Sequence, residues 1–391
     1  MKSRYLAPLF ASAFLAAALT AASSGILGQK PVTNDVFKTG KVRFVPLVTI
    51  TDEAMGGKAV FSWPTDVAVD DKGRIHISDS KENNIKVFDK AGVYLKTIGR
   101  KGQGPGEFQY LFEVEFSHGR LYASENSRIT VFDAEGVYLR TMTAEKGRSW
   151  QKMRALPDGR FLVEKNLVDY QSPSRKEETL LDLYSADFAF LKTVYRREIR
   201  RYKYVSEPAS RGLPIPFVAN FSWDILPDGR IAVGYSASYE IELYDPDKGK
   251  IGSFSHATTP VAVTTEDKKV FFAGISYMTQ DGGGPPVLHK GADEFTIKNT
   301  EFPKFKPPFT RLLVDAQGRI WVRLSGPAVE KEGLRFDIFD GAGRFLGHVL
   351  VRDGVFPSRL LPWAGGFWAI KATEDDEFTV VKYGIVADRL P

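Results

Sequence analysis

No cysteine occurs among the 391 residues, which rules out disulfides, thiolate catalysis, cysteine-ligated metals and a lipidated cysteine near the N-terminus. Stability must come from packing alone. Histidine is scarce too: His76, His118, His256, His289 and His348 are scattered, and no two have a ligand spacing such as His-x-x-x-His. An excess of one sign of charge is nearly absent, since 53 Lys and Arg stand against 48 Asp and Glu for a net +5. That excess is too small to predict a nucleic-acid or anionic-membrane partner.

Long apolar runs are confined to the N-terminus. After Met1-Lys2-Ser3-Arg4 the chain is apolar from Leu6 to Ala22 and then meets small residues through Ser24. Charged, apolar and small regions in that order predict a secretory signal over residues 1–24. Cleavage would leave residues 25–391 as one domain with no stable membrane insertion, periplasmic or secreted from a bacterial cell.

What the chain does have is 43% hydrophobic content arranged in short alternating runs. Between Trp63 and Gly99 four of them, Asp66 to Val69, Arg74 to Ser78, Asn84 to Phe88 and Val93 to Ile98, recur at the strand period of two. Asp71-Lys72-Gly73 and Asp89-Lys90-Ala91-Gly92 supply turns, and residues 80–83 a polar loop. One such sheet cannot bury both faces, so copies must stack on it.

The copies are marked by a turn glycine followed in five of six cases by arginine: Gly73-Arg74, Gly119-Arg120, Gly159-Arg160, Gly229-Arg230, Gly318-Arg319 and the degenerate Gly365-Gly366. Successive glycines lie 46, 40, 70, 89 and 47 residues apart, so three intervals fit a propeller blade and two carry insertions, over about 195–220 and 255–308. A second mark recurs in the third and fourth strands, Val87-Phe88-Asp89 to Leu95-Lys96-Thr97 and Val131-Phe132-Asp133 to Leu139-Arg140-Thr141, with weaker copies ending at Leu191, Ile251 and Leu346. The sixth unit lacks a fourth strand, whereas an orphan strand, Val42 to Ile50, precedes the first unit. The pattern predicts an all-β, six-bladed β-propeller of four-stranded antiparallel blades, closed by the N-terminal strand pairing with the last blade.

Residues 64–89, with Pro64-Thr65-Asp66-Val67-Ala68-Val69-Asp70 and Asn83-Asn84-Ile85-Lys86-Val87-Phe88-Asp89, resemble an NHL-type repeat, and the tail from Gly99 to Phe108 resembles the linker that follows such repeats. Blade 1 carries the likeness best, blade 2 through Asn126 to Asp133, the rest mainly at turns. The chain thus resembles bacterial six-bladed propellers of NHL type, which implies a binding scaffold more than a chemistry.

Two sets of residues are candidates for ligand binding. The inter-blade loops are basic: Arg100 and Lys101 after blade 1, Lys146 and Arg148 after blade 2, Arg196, Arg197, Arg200, Arg201 and Lys203 after blade 3, with Tyr195, Tyr202 and Tyr204 among them. Gathered on one rim, these charges would favour an anionic small molecule, a glycan or a peptide. The second set, Asp66, Glu113, Lys152, Asp224, Arg311 and Arg359, should line the channel end of the inner strands.

The alternative is a metal-dependent enzyme, lactonase-like or lyase-like, at the central channel. Three carboxylates alternating with three cations would repel a metal, so no metal site and no cofactor is expected, calcium being the one the channel carboxylates would admit. Gly102-Gln103-Gly104-Pro105-Gly106 lacks a P-loop ending and reads as a linker, while Gly282-Gly283-Gly284-Pro285-Pro286 falls in the second insertion, a candidate lid or partner loop. Neither nucleic acid nor any identified partner is predicted.

Overall fold

Each sequence unit becomes one antiparallel sheet, because its alternating runs have no helical period and its turns reverse the chain tightly. The structure, a computed structural model, describes Asn34, Phe37 and residues 42–143, 149–169, 176–205, 211–279, 287–326, 333–351, 359–363, 365–372 and 377–387. Residues 1–33, and with them the expected signal, lie outside the described residues.

Blade 1 comprises Pro64–Val69, Ile75–Asp79, Asn84–Phe88 and Tyr94–Ile98, paired in chain order from the innermost strand outward. Blade 2 follows with Glu113–Ser117, Arg120–Ser124, Arg128–Asp133 and Tyr138–Thr143, and blade 3 with Ser149–Ala155, Phe161–Val168, Glu177–Tyr184 and Phe190–Ile199. Blade 4 holds Phe221–Ile225, Ile231–Tyr235, Glu240–Asp245 and Gly249–Ser255, and blade 5 Phe309–Val314, Ile320–Leu324, Leu334–Phe339 and Phe345–Val351. Blade 6 takes Arg359–Trp363, Gly366–Ala372 and Phe378–Ala387 from the C-terminal region and Val42–Ile50 from the N-terminal region as its outermost strand. That pairing, from Val42 with Ala387 to Ile50 with Val380, closes a ring of six blades.

Burial follows position in the blade. All five residues of Ile75–Asp79 are buried, whereas the outer strand Tyr94–Ile98 alternates and buries only its last residue. Six apolar clusters result, one in each seam; Ile85, Val87 and Ile98 of blade 1, for example, meet Val114, Leu121 and Phe132 of blade 2. Every blade therefore gets both of its apolar faces covered only by its neighbours.

The two sequence marks have separate structural causes. Gly73, Gly119, Gly159, Gly229 and Gly318 all adopt φ between 70° and 87°, the left-handed region that a side chain resists. In blades 1, 3 and 4 the arginine after the glycine reaches the third-to-fourth-strand turn of the next blade, whereas Arg319 of blade 5 pairs with Asp315 of its own turn at 2.6 Å. Arg74 binds Glu135 at 2.9 Å, Arg160 binds Asp247 at 2.7 Å, and Arg230 donates to the Gly341 carbonyl at 2.8 Å. The second mark is a β-bulge: Phe88 pairs with Tyr94 and Val87 with Lys96, so Leu95 is an extra residue. Leu139, Leu191, Ile251 and Leu346 are skipped in the same way in blades 2 to 5.

Both insertions occur in links from an outermost strand to the next innermost one, hence at the same end of the sheets. The first contains the hairpin Tyr202–Val205 and Arg211–Pro214. The second contains helix α1 (Thr265–Ala273), the hairpin Ser276–Thr279 and Val287–Lys290, and helix α2 (Glu294–Asn299). A capping box between Thr264 and Asp267 starts α1, and Asp267 also pairs with buried Lys306 at 2.6 Å. Phe217, Phe271 and Phe302 then pack together, and Lys203 meets Glu301 at 2.8 Å, so the two insertions support each other. Residues 280–286, with the glycine and proline run, lie outside the described residues.

Candidate functional site

The innermost strands adjoin around the channel, and their polar side chains first serve the ring. An innermost strand has no partner on its inner edge, so some of its N–H groups need acceptors. Asp66 accepts from Val114 N–H at 3.2 Å, Glu113 from Met153 N–H at 3.2 Å, and Asp224 from Val314 N–H at 2.9 Å. Three predicted channel residues thus stitch one blade to the next. This is a role that sequence spacing alone did not show.

The other channel groups lie between these stitches. Lys152 donates to the Trp223 carbonyl, lies 4.4 Å from the Trp223 ring and stands 3.9 Å from Asp224. Arg154 stands 3.6 Å from Glu115 and 4.0 Å from Glu113. Glu164 accepts from Trp223 Nε1 at 2.8 Å. Arg311 faces Arg323 across the strand pair, and Arg359, in the innermost strand of blade 6, pairs with Ile370. Glu115, Arg154 and Glu164 were missed by sequence reasoning, although Glu115 and Arg154 follow predicted residues by two, the strand repeat that puts them on the same face.

Depth changes the acidity of these groups. Burial lifts the Glu115 carboxyl to about 7, against the pull of Arg154 and with help from Asp66 and Glu113. Burial also presses the Lys152 ammonium down to about 8, opposed by Asp224 and reinforced by Arg154 and Arg311. Glu164 is raised by burial despite the bond from Trp223. The side chains of Glu115, Arg154 and Lys152 keep 23%, 19% and 22% of their surface exposed, so this channel offers donors and acceptors to a ligand. Near neutrality Glu115 can give or take a proton.

The basic rim looks different once folded. Arg196 and Arg197 are residues of the outermost strand of blade 3, not of a loop, and correct the sequence expectation. Arg197 is bonded to the Tyr195 hydroxyl and lies 4.6 Å from the Tyr235 ring. Arg100 pairs with Glu107 at 2.7 Å and Arg201 with Glu177 at 2.8 Å. The Gly104 N–H and Arg100 hold the Glu107 carboxyl below its usual range. Lys101 is exposed and bridges to Phe108. Arg148 lies outside the described residues. Carboxylates accompany Arg100, Arg201 and Lys203, so the rim does not present them as unopposed positive charge.

Two aromatic side chains are exposed on the loop-rich face instead, and the ring of one, Trp63, lies 5.6 Å from that of Phe378 in blade 6. Trp63, just before the innermost strand of blade 1, is 55% exposed, and Tyr110, in the corresponding link of blade 2, is 71% exposed. Each backbone N–H is held by a buried carboxylate at the end of the second strand: Trp63 by Asp79 at 3.0 Å and Tyr110 by Glu125 at 2.9 Å. Asp79 is neutralised by Lys86 at 3.0 Å and Glu125 by Arg128 at 2.7 Å. The pair thus occupies one slot in successive blades on the loop-rich face. Sequence reasoning missed it because neither residue belongs to a strand.

The five histidines are less scattered than their spacing implies, since His256 and His348 come together, with ring centroids 6.2 Å apart. His76 is buried, with Nε2 3.2 Å from Asp70. Among the described residues no group of three or more His, Cys, Asp or Glu is arranged to hold a metal ion. No helix among them is long and apolar enough to cross a membrane.

Comparison with known proteins bears on the fold. Residues 29–178 match a family model, DUF5128, described as a 6-bladed beta-propeller. No curated protein matches the chain. A Bacteroides fragilis NCTC 9343 protein, named as exported, is 11% identical with a TM-score of 0.52, over 92% of this chain and 98% of that one. A DUF4221 family member from Bacteroides vulgatus ATCC 8482 is 11% identical with a TM-score of 0.49, over 90% and 100%. Virginiamycin B lyase of Staphylococcus aureus is 13% identical with a TM-score of 0.40, over 88% and 99%. The first shares the fold alone, and the other two carry no inference about activity.

Proposed function

We propose that the protein is an exported binding scaffold of NHL-type propeller architecture that takes a glycan at the loop-rich mouth of its channel. The observation that carries this reading is the equivalent presentation of Trp63 and Tyr110, both exposed and both fixed through their backbones by buried, ion-paired carboxylates. Rigid exposed rings are what the apolar faces of sugars stack on. In the channel, Arg154 and Lys152 can donate to hydroxyls while Glu115, Glu164 and Asp224 can accept. A mixed array suits a ligand that both donates and accepts better than it suits a simple anion, so a glycan is favoured over the anionic small molecules and peptides that a basic rim alone would predict. Export is supported by the charged, apolar and small-residue order of residues 1–24 and by the exported Bacteroides fragilis protein of like fold.

Titration of soluble bacterial oligosaccharides, followed by tryptophan fluorescence and calorimetry, tests this. Binding should weaken at least about tenfold in Trp63→Ala and in Arg154→Ala, the order expected from losing a stacking platform or a charged hydrogen bond. A glycan panel that gives no saturable binding, or binding indifferent to both substitutions, would rule the reading out.

A further inference from the structure

A second arrangement lies away from the channel, on the seam between blades 4 and 5, and does not depend on the glycan reading. Asp337, in the third strand of blade 5, is only 1% exposed. Its two oxygens take different partners: Oδ2 accepts from the Tyr239 hydroxyl of blade 4 at 2.6 Å, and Oδ1 lies 2.6 Å from His348 Nδ1. His348 faces Asp337 directly in the register of the outermost strand, yet its side chain is 68% exposed. With the Nδ1 proton given to the carboxylate, Nε2 keeps its lone pair on the opposite edge of the ring.

His256 completes the arrangement. It follows the outermost strand of blade 4, stacks on Phe345 at 4.2 Å and has its ring centroid 6.2 Å from that of His348. It makes no hydrogen bond to the described residues. We propose that His256 and His348 together bind a divalent transition-metal ion such as zinc, nickel or copper, with water filling the remaining positions.

Reach and chemistry both support the assignment. A metal–nitrogen bond of about 2.0–2.1 Å places a ring centroid about 3.2 Å from the ion, so two imidazoles on one ion have centroids at most about 6.4 Å apart. A tetrahedral angle sets the centroids about 5.2 Å apart, so the observed 6.2 Å closes onto an ion after a shift of about 1 Å in the exposed His348 ring. Imidazole pairs select borderline ions over calcium or magnesium, which want oxygen. The second nitrogen of His348 already has an oriented acceptor of the kind that fixes a ligating imidazole, Asp337, held in turn by Tyr239. His76 also meets a carboxylate, Asp70, but it is buried.

Calorimetric titration of the untagged protein with zinc chloride and with nickel chloride, in a non-coordinating buffer, provides the test. One equivalent should bind with micromolar affinity, and His256→Ala and His348→Ala should each weaken it at least about tenfold. Asp337→Asn should weaken it by about tenfold as well, whereas His289→Ala should leave it unchanged. Copper(II) bound to the wild type should show an electron paramagnetic resonance signal split by two nitrogens. Absence of saturable binding, or a site that survives His256→Ala, overturns the proposal. Should Asp337→Asn fail to fold, the two histidine variants and the copper spectrum decide the matter.

Discussion

Arg74 of blade 1 closes on Glu135 of blade 2 at 2.9 Å while its Nε stays 2.6 Å from Asp70 at the start of its own turn. One guanidinium thereby satisfies a buried carboxylate within its blade and fastens that blade to the next. Arg160 repeats the geometry between Asp158 and Asp247, but both of those carboxylates are more than half exposed.

The two clamps should differ in strength. Arg74→Ala leaves Asp70, whose side chain is 1% exposed, without its cation and with only His76 and backbone N–H groups as partners, and should cost about 2 kcal/mol. Arg160→Ala removes a solvated pair and should cost about 1 kcal/mol or less. Urea denaturation followed by circular dichroism measures both, and equal losses would show that burial of the partner is not what matters.

Glu115 should make stability fall as pH rises. Its folded carboxyl titrates at about 7, above the 4.5 of the free side chain, so between those values the folded state holds more protons than the unfolded one. The contribution is full below about 4.5 and lost through about 7, on the order of 3 kcal/mol at most. Glu115→Gln should remove that slope, so the variant's stability relative to wild type should climb from pH 5 to pH 8, roughly the span of the titration. A difference that stays flat over this range would contradict the placement of Glu115.

The second insertion should be separable from the ring. Asp267 caps α1 through Thr264 and holds Lys306, so Asp267→Ala leaves a buried ammonium without its carboxylate partner. Hydrogen exchange should accelerate across α1 and α2 by at least about tenfold, while the second strands of the blades keep their protection. Loss of protection throughout the ring would mean instead that the insertion braces the whole structure.

The sequence made the fold legible because every blade repeats the same local chemistry: a glycine that must turn left-handed, an alternating strand, and an apolar bulge residue such as Leu95. Even the closure of the ring could be read from the unpaired run Val42 to Ile50. The candidate site was legible only in part. Asp66, Glu113 and Asp224 do lie in innermost strands, but their bonds to Val114, Met153 and Val314 cross from blade to blade, and no periodicity within one blade reports such a contact. The ion pairs of the rim were illegible for a related reason, since Arg201 meets Glu177 and Lys203 meets Glu301 only after folding. The sharpest case is His256 and His348, far apart along the chain and joined by the seam between two blades.

Val42–Ile50 and Phe378–Ala387 share a sheet although nearly the whole chain separates them. The final blade therefore lacks its outer strand until both stretches are present. A chain crossing a membrane from its N-terminus would carry Val42–Ile50 out early and hold it unpaired until Phe378–Ala387 followed. The molecule thus carries its own delay. Long-range pairing of this kind is slow to form, because the entropy of closing so long a loop must be met before the contact rewards it.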